Sequence, residues 1–391
     1  MVAIAIASLS LGIWFFLLSF WGGFWRSNSY LDRDLKSLEQ YPSICAVVPA
    51  RNEAEAISLS ITSLLNCDYK GDFSVVLVDD NSSDRTAAIA KETAASLGKG
   101  DCGASRRHRL NVISGKPLEP GWKGKLWAIH QGIEFASAEA MPNYWLFTDA
   151  DIQHARSNLT QLVVKAETED LDLVSLMVLL RCQSAWEKLL IPAFVFFFQK
   201  LYPFAWVNNP QKSIAAAAGG CILISNEALV EIGGIAAIKN ALIDDCTLAR
   251  AVKASGKKIW LGLTETTISL RGYDNVKTIW DTIARTAYDQ LGYSLLLLVG
   301  TVVGMGLVYL VAPVGVLWGA IAHNWLLFAI CSFTWLLMIW AYLPTIRLYK
   351  ISWTWALLLP AIAFLYTLMT IDSAIKHYRG QGGAWKGRTY Q

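Results

Sequence analysis

Four stretches of the chain carry almost nothing polar. Residues 1–25, 292–319, about 323–346 and about 351–371 are free of charge until their ends. A helix needs roughly 20 apolar residues to cross a hydrocarbon core, so each stretch predicts a membrane-spanning helix. The alternative is a helix buried in a protein core. It does not suit the first two runs, because core helices rarely extend so far without a polar face. Pro344 and Pro360 interrupt the last two, which leaves open whether one of them is re-entrant or lies at the interface.

Between these runs, from about residue 26 to 291, the pattern is that of a soluble domain. Ile44–Val48 is a short apolar run stopped by Pro49 and predicts a buried strand. Glu53–Leu65 has helical spacing of Ala56, Ile57, Leu64 and Leu65. Ser74–Val78 predicts a second buried strand, closed by Asp-Asp-Asn-Ser-Ser, and Asp84–Leu97 an Ala-rich helix. Gly98–Gly103 is a polar loop. Leu110–Ser114 and Tyr144–Thr148 predict a third and a fourth strand, with a helix over Lys125–Ala136 between them. Strand and helix alternate, which predicts an α/β fold: a Rossmann-like, mostly parallel sheet covered by helices on both faces. Ligands of such sheets bind at the carboxyl ends of the strands. Asn52 and Glu53 follow the first strand, Asp79 and Asp80 the second, and Asp149 and Asp151 the fourth, so three strands deliver polar groups to one edge.

Composition agrees with a membrane component: apolar residues make up 54%, charged residues 17%, and there are 17 Trp. The organisation expected is an N-terminal anchor over 1–25, a catalytic domain over 42–290, a membrane region of two to three spans over 292–375, and a basic tail over 376–391. The first run lacks a basic region ahead of it, unlike a cleaved signal. Arg26, Arg33 and Lys36 follow it, which places the domain in the cytoplasm and the chain in the inner (plasma) membrane as a multi-pass protein. Lys376, Arg379, Lys386 and Arg388 also read as cytoplasmic, in conflict with a fourth full crossing. The seven Cys form no CxxC or Cys/His cluster, which fits a reduced domain better than a zinc site or a disulfide framework. A net charge of +3 is too small to argue for nucleic acid. The cluster Arg106, Arg107 and Arg109 reads as a solvated loop, with contact to anionic lipid as the alternative.

Several clusters have the residue types that chemistry needs. Asp149-Ala-Asp151 places two carboxylates at a strand end. They can converge on a hard divalent cation, Mg²⁺ or Mn²⁺, which prefers oxygen ligands and accompanies substrate phosphates. In isolation such a pair is more often a solvated turn; its position directly after Tyr-Trp-Leu-Phe-Thr reverses that preference. In Asp79-Asp80-Asn81-Ser82-Ser83-Asp84, a carboxylate can accept a hydrogen bond from a base ring N–H, while Ser83 or Asp84 can cap the following helix. Gly121-Trp122-Lys123-Gly124-Lys125 suits close approach to phosphate but is not a Walker A motif. Asp244-Asp245 precedes a helical pattern and offers either a general base or a helix cap. The aromatic stretch 189–207 is interrupted by two prolines. It reads as too broken to span, and as an interfacial helix or the lining of a lipid entry path, against the alternative of ordinary core.

Taken in order, Val47-Val48-Pro49-Ala50-Arg51-Asn52-Glu53, Val78-Asp79-Asp80-Asn81-Ser82-Ser83-Asp84, Asp149-Ala-Asp151 and Asp244-Asp245-x-x-Leu248 resemble the family-2 glycosyltransferases with a GT-A fold. Gly121–Ala128, Ala284-Arg285-Thr286-Ala287-Tyr288 and Gly383-Ala384-Trp385-Lys386-Gly387-Arg388 look like the hopanoid-biosynthesis-associated (hopene-associated) members, relatives of ceramide glucosyltransferases. The resemblance implies that Ala50, Asn52 and Glu53, with Asp79 or Asp80, hold the nucleoside. It implies that Asp149 and Asp151 hold the metal and donor diphosphate, that Lys125 contacts donor phosphate, and that Asp245 is the catalytic base with Asp244 beside it. Arg285 would keep the basic role of a Gln/Arg-x-x-Arg-Trp motif, although no Trp follows it, which argues against processive synthesis.

The expected function is therefore inverting transfer of one sugar from a nucleotide-sugar, a UDP-sugar, to a lipid or isoprenoid-type acceptor at the cytoplasmic membrane face. A membrane polysaccharide synthase and a non-catalytic membrane protein retaining the fold are the alternatives.

Overall fold

The computed structural model describes residues 1–31, 37–97, 108–273 and 275–380. Arg33, Lys36, the loop Gly98–Gly103, Cys102, Arg106, Arg107 and the tail segment with Lys386 and Arg388 lie outside the described residues. The chain divides into two compact units. One comprises Ser29–Arg181 and Trp206–Arg271. The other comprises Met1–Asn28, Cys182–Ala205 and the chain from Gly272 onward.

The first unit is built on an eight-stranded sheet in the order β3-β2-β1-β4-β7-β6-β8-β5. The strands are β1 (Ile44–Ala50), β2 (Phe73–Asp79), β3 (Arg109–Ser114), β4 (Tyr144–Thr148), β5 (Ile152–Gln153), β6 (Leu173–Leu179), β7 (Cys221–Ser225) and β8 (Ile259–Ser269). Strands β1 to β4 are mutually parallel where they pair, as the alternation of strand and helix predicts. Beyond β4 the sheet is mixed. β7 runs antiparallel to both β4 and β6, β6 pairs with β8 in parallel, and the short β5 closes the edge antiparallel to β8.

Strand side chains alternate between two covered faces. Ile44, Ala46, Val48 and Ala50 of β1 join Val75 and Leu77 of β2 in a core with Ile57, Ile61 and Leu64 of the Ile57–Leu65 helix and Leu159, Leu162 and Val163 of the Asn158–Glu169 helix. The opposite face meets the Gly124–Glu139 helix. There Gly132 lies so close to the sheet that a Cβ on it would stand 2.4 Å from a Val47 methyl.

β1 does not stop at Pro49. It continues to Ala50, whose carbonyl accepts the Asp80 N–H at 2.8 Å on the β2 side. The polar positions of Pro49 therefore point the other way, toward β4, where pairing has already ended at Val47 and Phe147. The missing N–H leaves no ladder partner unsatisfied. Two helices begin later than their apolar spacing predicts, at Ile57 and Thr86. The intervening backbone N–H groups bond between loops instead: Asn52 to Ser82 Oγ, Glu53 to Thr86 Oγ1 and Ala54 to Asp84 Oδ2.

The second unit holds four helices long and apolar enough to cross a membrane: Val2–Phe20, Leu295–Ile321, Trp325–Leu348 and Trp353–Tyr378. Pro360 does not break the last of these. It falls in the first turn of its α-helical part, where a missing N–H costs nothing. Leu295–Ile321 contains a π-helical turn at Gly306–Leu310, and the Trp14 indole N–H donates to the Val308 carbonyl in that turn at 2.7 Å. The aromatic stretch 189–207 breaks at Pro203, ahead of the short Phe204–Val207 helix, as expected, whereas Pro192 does not interrupt the helix before it, Ala185–Leu201. A capping box from Ser184 and Glu187 starts it, and Pro203 follows its end. Phe196 packs on Tyr342 and Phe197 on Tyr366, with ring centroids 5.1 and 4.9 Å apart, so this helix packs among the apolar helices of its unit.

Candidate active site

The carboxyl ends of β1, β2 and β4 stand side by side, because Ala50 is in register with Asp79 and Val47 with Phe147. The residues that follow each strand therefore share one rim. After β1, Asn52 adopts a left-handed backbone with φ 52°, and its side-chain oxygen accepts the Ser83 N–H at 2.8 Å. Asp84 accepts from Thr86 N at 3.0 Å and from Ala54 N at 3.1 Å, so it both caps the following helix and ties the two loops together. Asp84 is exposed, and against the cost of desolvation the hydrogen bonds from the Thr86 hydroxyl and from the Thr86 and Ala54 N–H groups hold its carboxyl below the usual carboxylate range.

The two acids after β2 have different surroundings. Asp80 is buried, and the Arg51 guanidinium donates to its backbone carbonyl at 2.6 Å and stands 3.7 Å from its carboxylate. Asp79 keeps a buried carboxylate oxygen, Oδ1, with no hydrogen-bond partner among the described residues. A buried acceptor without a donor is costly in isolation. Ala50, at the end of β1, is buried beside them.

The strongest electrostatic feature of the rim is a lysine held by acids from two other segments. Lys125, in the first turn of the Gly124–Glu139 helix, places Nζ 2.9 Å from Asp149 Oδ1 and 3.3 Å from Asp244 Oδ2. Burial works against its charge, but Asp149 and Asp244 outweigh that cost and hold the ammonium above the usual lysine range. Asp244 and Asp245 open the Asp244–Ala254 helix. Asp245 receives two backbone donors, Gly219 N–H on Oδ2 at 2.8 Å and Cys246 N–H on Oδ1 at 2.7 Å. Burial, then the neighbouring Asp244 charge, push its carboxyl up to about 6, with Lys125 and the two N–H donors pulling the other way. Pro49, Lys125, Thr148, Gly219, Asp244 and Asp245 line a small cavity of about 20 Å³ here.

Asp151 lies behind Asp149. It is 9% exposed, and its Oδ2 accepts the Ser269 hydroxyl at 3.1 Å. Burial, Asp149 and then Glu53 raise its carboxyl to about 6, against the pull of Arg271 and the Ser269 hydrogen bond. Asp149 and Glu53 thus each repel Asp151. The described residues contain no group of three or more His, Cys, Asp or Glu arranged to hold a metal by themselves. Two carboxylates completed by substrate phosphate remain compatible with that.

Of the residues anticipated from sequence, Lys125, Asp149, Asp244 and Asp245 form one cluster, with Asp151 and Glu53 beside Asp149. Ala50, Asn52, Asp79 and Asp80 lie on the same rim. Arg285 caps the Val276–Ala284 helix in the other unit. The sequence reading missed Gly219. Its backbone N–H holds Asp245, and a Cβ there would stand 3.1 Å from Lys125 Nζ and 3.3 Å from Asp245 Oδ2. It also missed a chain of polar groups beneath the rim. Asn158 Nδ2 donates to His154 Nδ1 at 3.0 Å, His154 Nε2 to Thr148 Oγ1 at 2.9 Å, and Thr148 Oγ1 to the Gly220 carbonyl at 2.8 Å. Burial pushes the His154 imidazole down to about 4, so it is neutral, and this chain of donors fixes its tautomer.

Residues 45–233 match the family described as Glycosyl transferase family 2. A probable glycosyltransferase of Bacillus subtilis, YdaM, is 29% identical over 153 residues, covering 37% of this chain and 32% of that protein. A beta-monoglucosyldiacylglycerol synthase of Synechocystis sp. is 48% identical over 50 residues, which are 12% of this chain and 10% of the relative. The matched stretches thus span a tenth and about a third of those curated relatives. Among solved structures, the mannosyltransferase PcManGT from Pyrobaculum calidifontis, in complex with GDP-Man and Mn²⁺, superposes with a TM-score of 0.53 at 18% identity, covering 96% of this chain and 99% of that one. With the strand order and the acids at the strand ends, these matches give the chain a GT-A fold, within which residues 45–233 are similar to glycosyl transferase family 2.

Proposed function

We propose that this chain is an inverting glycosyltransferase that moves a sugar from a nucleotide-sugar donor, a UDP-sugar, to a lipid-like or isoprenoid-type acceptor at the cytoplasmic face of a membrane. The observation that carries the reading is the convergence of Lys125, Asp149, Asp244 and Asp245 from three separate segments on one cleft at the carboxyl rim. The unpartnered Asp79 Oδ1 is the acceptor for a ring N–H of the nucleobase. Asn52 and Glu53 shape the loop around the nucleoside, with Ala50 at its floor. Asp80, tied to Arg51, fixes the loop.

Asp149 and Asp151 would hold a divalent cation, Mg²⁺ or Mn²⁺. The fit rests on their oxygen-only donor set and on the repulsion of Asp151 by Asp149 and Glu53, which a cation relieves. When bound, such an ion neutralises charge on the diphosphate. The protein's own groups do the remaining work. Lys125 supplies a fixed positive charge for donor phosphate. Asp245, oriented by its two backbone donors, takes the proton from the acceptor hydroxyl. The hydroxyl oxygen then bonds to the anomeric carbon as the bond from that carbon to the diphosphate oxygen breaks, with inversion. Arg285 is assigned a basic role toward the donor from the sequence resemblance.

The acceptor class is supported by the four apolar helices and by the name of the Synechocystis relative, a synthase of a glycolipid. An acceptor that stays in the bilayer is reached most directly by an enzyme that also stays there. The hopanoid association rests on the motif resemblance alone. The test is purified protein in detergent, screened against UDP- and GDP-sugars with manganese and a total lipid extract. Label entering one defined lipid band supports the proposal. Nucleotide-sugar turnover that labels only a polymer ladder replaces the lipid acceptor with polysaccharide synthesis. Absence of turnover with every donor overturns the reading.

A further inference from the structure

The lysine at the carboxyl rim stands on one of the very oxygens that a divalent ion needs. Lys125 Nζ lies 2.9 Å from Asp149 Oδ1 and 3.3 Å from Asp244 Oδ2. The Asp149 side chain is 37% exposed and that of Lys125 22%, so both can be reached from the cleft. Asp149 is one of the two residues assigned above to the ion, and a full positive charge of the chain itself already engages it. Asp151, the other, is nearly buried and gives Oδ2 to the Ser269 hydroxyl at 3.1 Å. Among the described residues no third acid, imidazole or thiol joins them to complete a metal site.

A carboxylate has two oxygens and can face an ammonium and a metal ion together. The two cations then share one small anion and repel each other, strongly so at a partly enclosed rim. A diphosphate reverses that relation. Its oxygens ligate Mg²⁺ or Mn²⁺, and an ammonium binds phosphate as a compact point charge. Both cations are then attracted to the same anionic group. Asp244 holds the Lys125 amine from another segment, so the charge stays at the rim when Asp149 turns to the ion.

We propose that Lys125 and the divalent ion compete for Asp149, so that the cleft takes up the ion together with the donor diphosphate and holds it poorly alone. Lys125 thereby makes the binding of ion and diphosphate mutually dependent, each raising the affinity of the other. The inference rests on the function proposed above and adds a loading order to the same site.

Mn²⁺ alone is titrated into the full-length protein in neutral detergent, and the free ion is counted by its electron paramagnetic resonance signal. UDP alone is titrated by calorimetry in the presence of a chelator. Wild type should carry well under half an equivalent of ion at about 0.1 mM Mn²⁺. Lys125→Gln and Lys125→Met are expected to bind Mn²⁺ about tenfold tighter and UDP about tenfold weaker. Lys125→Arg keeps the charge and should resemble the wild type toward the ion. The double variant Lys125→Gln with Asp149→Asn should lose the gain, which locates the ion at Asp149. Thermal midpoints and circular dichroism follow the fold of each variant. A lysine that only holds the fold weakens both ligands or neither, so the opposite signs are diagnostic.

Unchanged or weaker Mn²⁺ binding in both neutral variants overturns the proposal. So does a wild type that takes up a full equivalent of Mn²⁺ without nucleotide, a result that needs no variant. Weaker UDP binding with no gain for the ion makes Lys125 a phosphate ligand alone and also overturns the competition. If neither UDP nor GDP binds the wild type while the gain for the ion appears, the competition stands and the nucleotide-sugar reading falls.

Discussion

Lys125 and Lys200 are both enclosed lysines, and they illustrate two ways of keeping a charge away from water. Lys125 is 22% exposed and is held by the carboxylates of Asp149 and Asp244, with Asp245 close behind. Lys200 has a phenol and two ring faces. In the first case the protein supplies the counter-charge, and the lysine organises acids that would otherwise repel one another. In the second a neutral oxygen and two ring faces are all that meet the amine among the described residues. A lysine caged by acids belongs to a preorganised polar cleft, whereas a lysine caged by rings belongs to the apolar packing around it. The difference teaches that burial alone does not assign a role to a charged group; its partners do.

The largest expected effect bears on the acids around Lys125. Asp245→Asn removes the proton acceptor while keeping the shape and the Gly219 contact. Turnover should fall about a thousandfold or more, and donor affinity, measured by calorimetry, should stay within about threefold. Loss of donor binding in step with turnover would reduce Asp245 to a structural residue. A pH profile sharpens the same assignment. With its carboxyl near 6, Asp245 is ionised and able to accept a proton above that value, and it is protonated and inactive below it. kcat/KM should therefore rise with pH through about 6 and level off. Asp244→Asn takes away a like charge that raises Asp245, so the acidic limb should move to lower pH. A limb that stays fixed breaks the coupling between the two.

Lys125→Met comes next and tests the comparison directly. It leaves three acids without their shared cation, and because these side chains are partly exposed the cost is about 1–2 kcal/mol. A drop of several degrees in the thermal midpoint and a loss of about a hundredfold in turnover are expected. Lys200→Met should leave the midpoint unchanged or raised, since it removes a charge that has no carboxylate partner. If both substitutions lowered the midpoint equally, the contrast between the two lysines would fail.

The sequence revealed one side of this comparison better than the other. β1, β2 and β4 were legible because each is a short apolar run ending in acids, and a parallel α/β sheet brings such ends to one rim. Asp79 and Asp149 could be named on that basis, and Asp245 only through the resemblance of its motif. The antiparallel half of the sheet was not legible. β7 pairs with β4 and β6, and β5 with β8, across long separations in sequence, and β5 has only two residues. The same reason hid Gly219: nothing local indicates that its N–H will meet Asp245 or that its hydrogen stands against Lys125. Of the two prolines read as interrupting the aromatic stretch, Pro203 does separate two helices, whereas Pro192 is carried inside the first, supported by packing on its neighbours. Lys200 had no signal at all, since its environment comes from Phe197 on its own helix and from Tyr309 on another.

Gly219→Ala sharpens the picture around the caged lysine at smaller scale. The new methyl would press on Lys125 Nζ and Asp245 Oδ2 from contact distances of 3.1 and 3.3 Å. Both are ends of side chains that can shift by a few tenths of an ångström, so the fold should survive and the thermal midpoint should change little. The alignment of base and cation should suffer, with kcat down about tenfold and donor affinity nearly constant.

The smallest effect concerns Thr148, which carries the polar chain from His154 to Gly220. In Thr148→Val the shape is kept, but the hydroxyl that receives the imidazole N–H and donates to the Gly220 carbonyl is gone. Two hydrogen bonds are lost in a buried place, costing about 1–3 kcal/mol of stability. If the chain only stabilises the fold, Thr148→Val should lower the thermal midpoint and leave kcat and KM alone at a temperature where the protein is folded. If it also holds the backbone on either side, Asp149 and Gly219 shift together, since Thr148 precedes the first and its carbonyl partner Gly220 follows the second. KM for the donor should then rise by about threefold, and Thr148→Ser, which restores the hydroxyl, should return it. We expect the second outcome, because one side chain here joins the segment that bears the proposed metal ligand to the segment that orients the proposed base. A changed KM that Thr148→Ser fails to restore would assign the effect to packing of the methyl group instead.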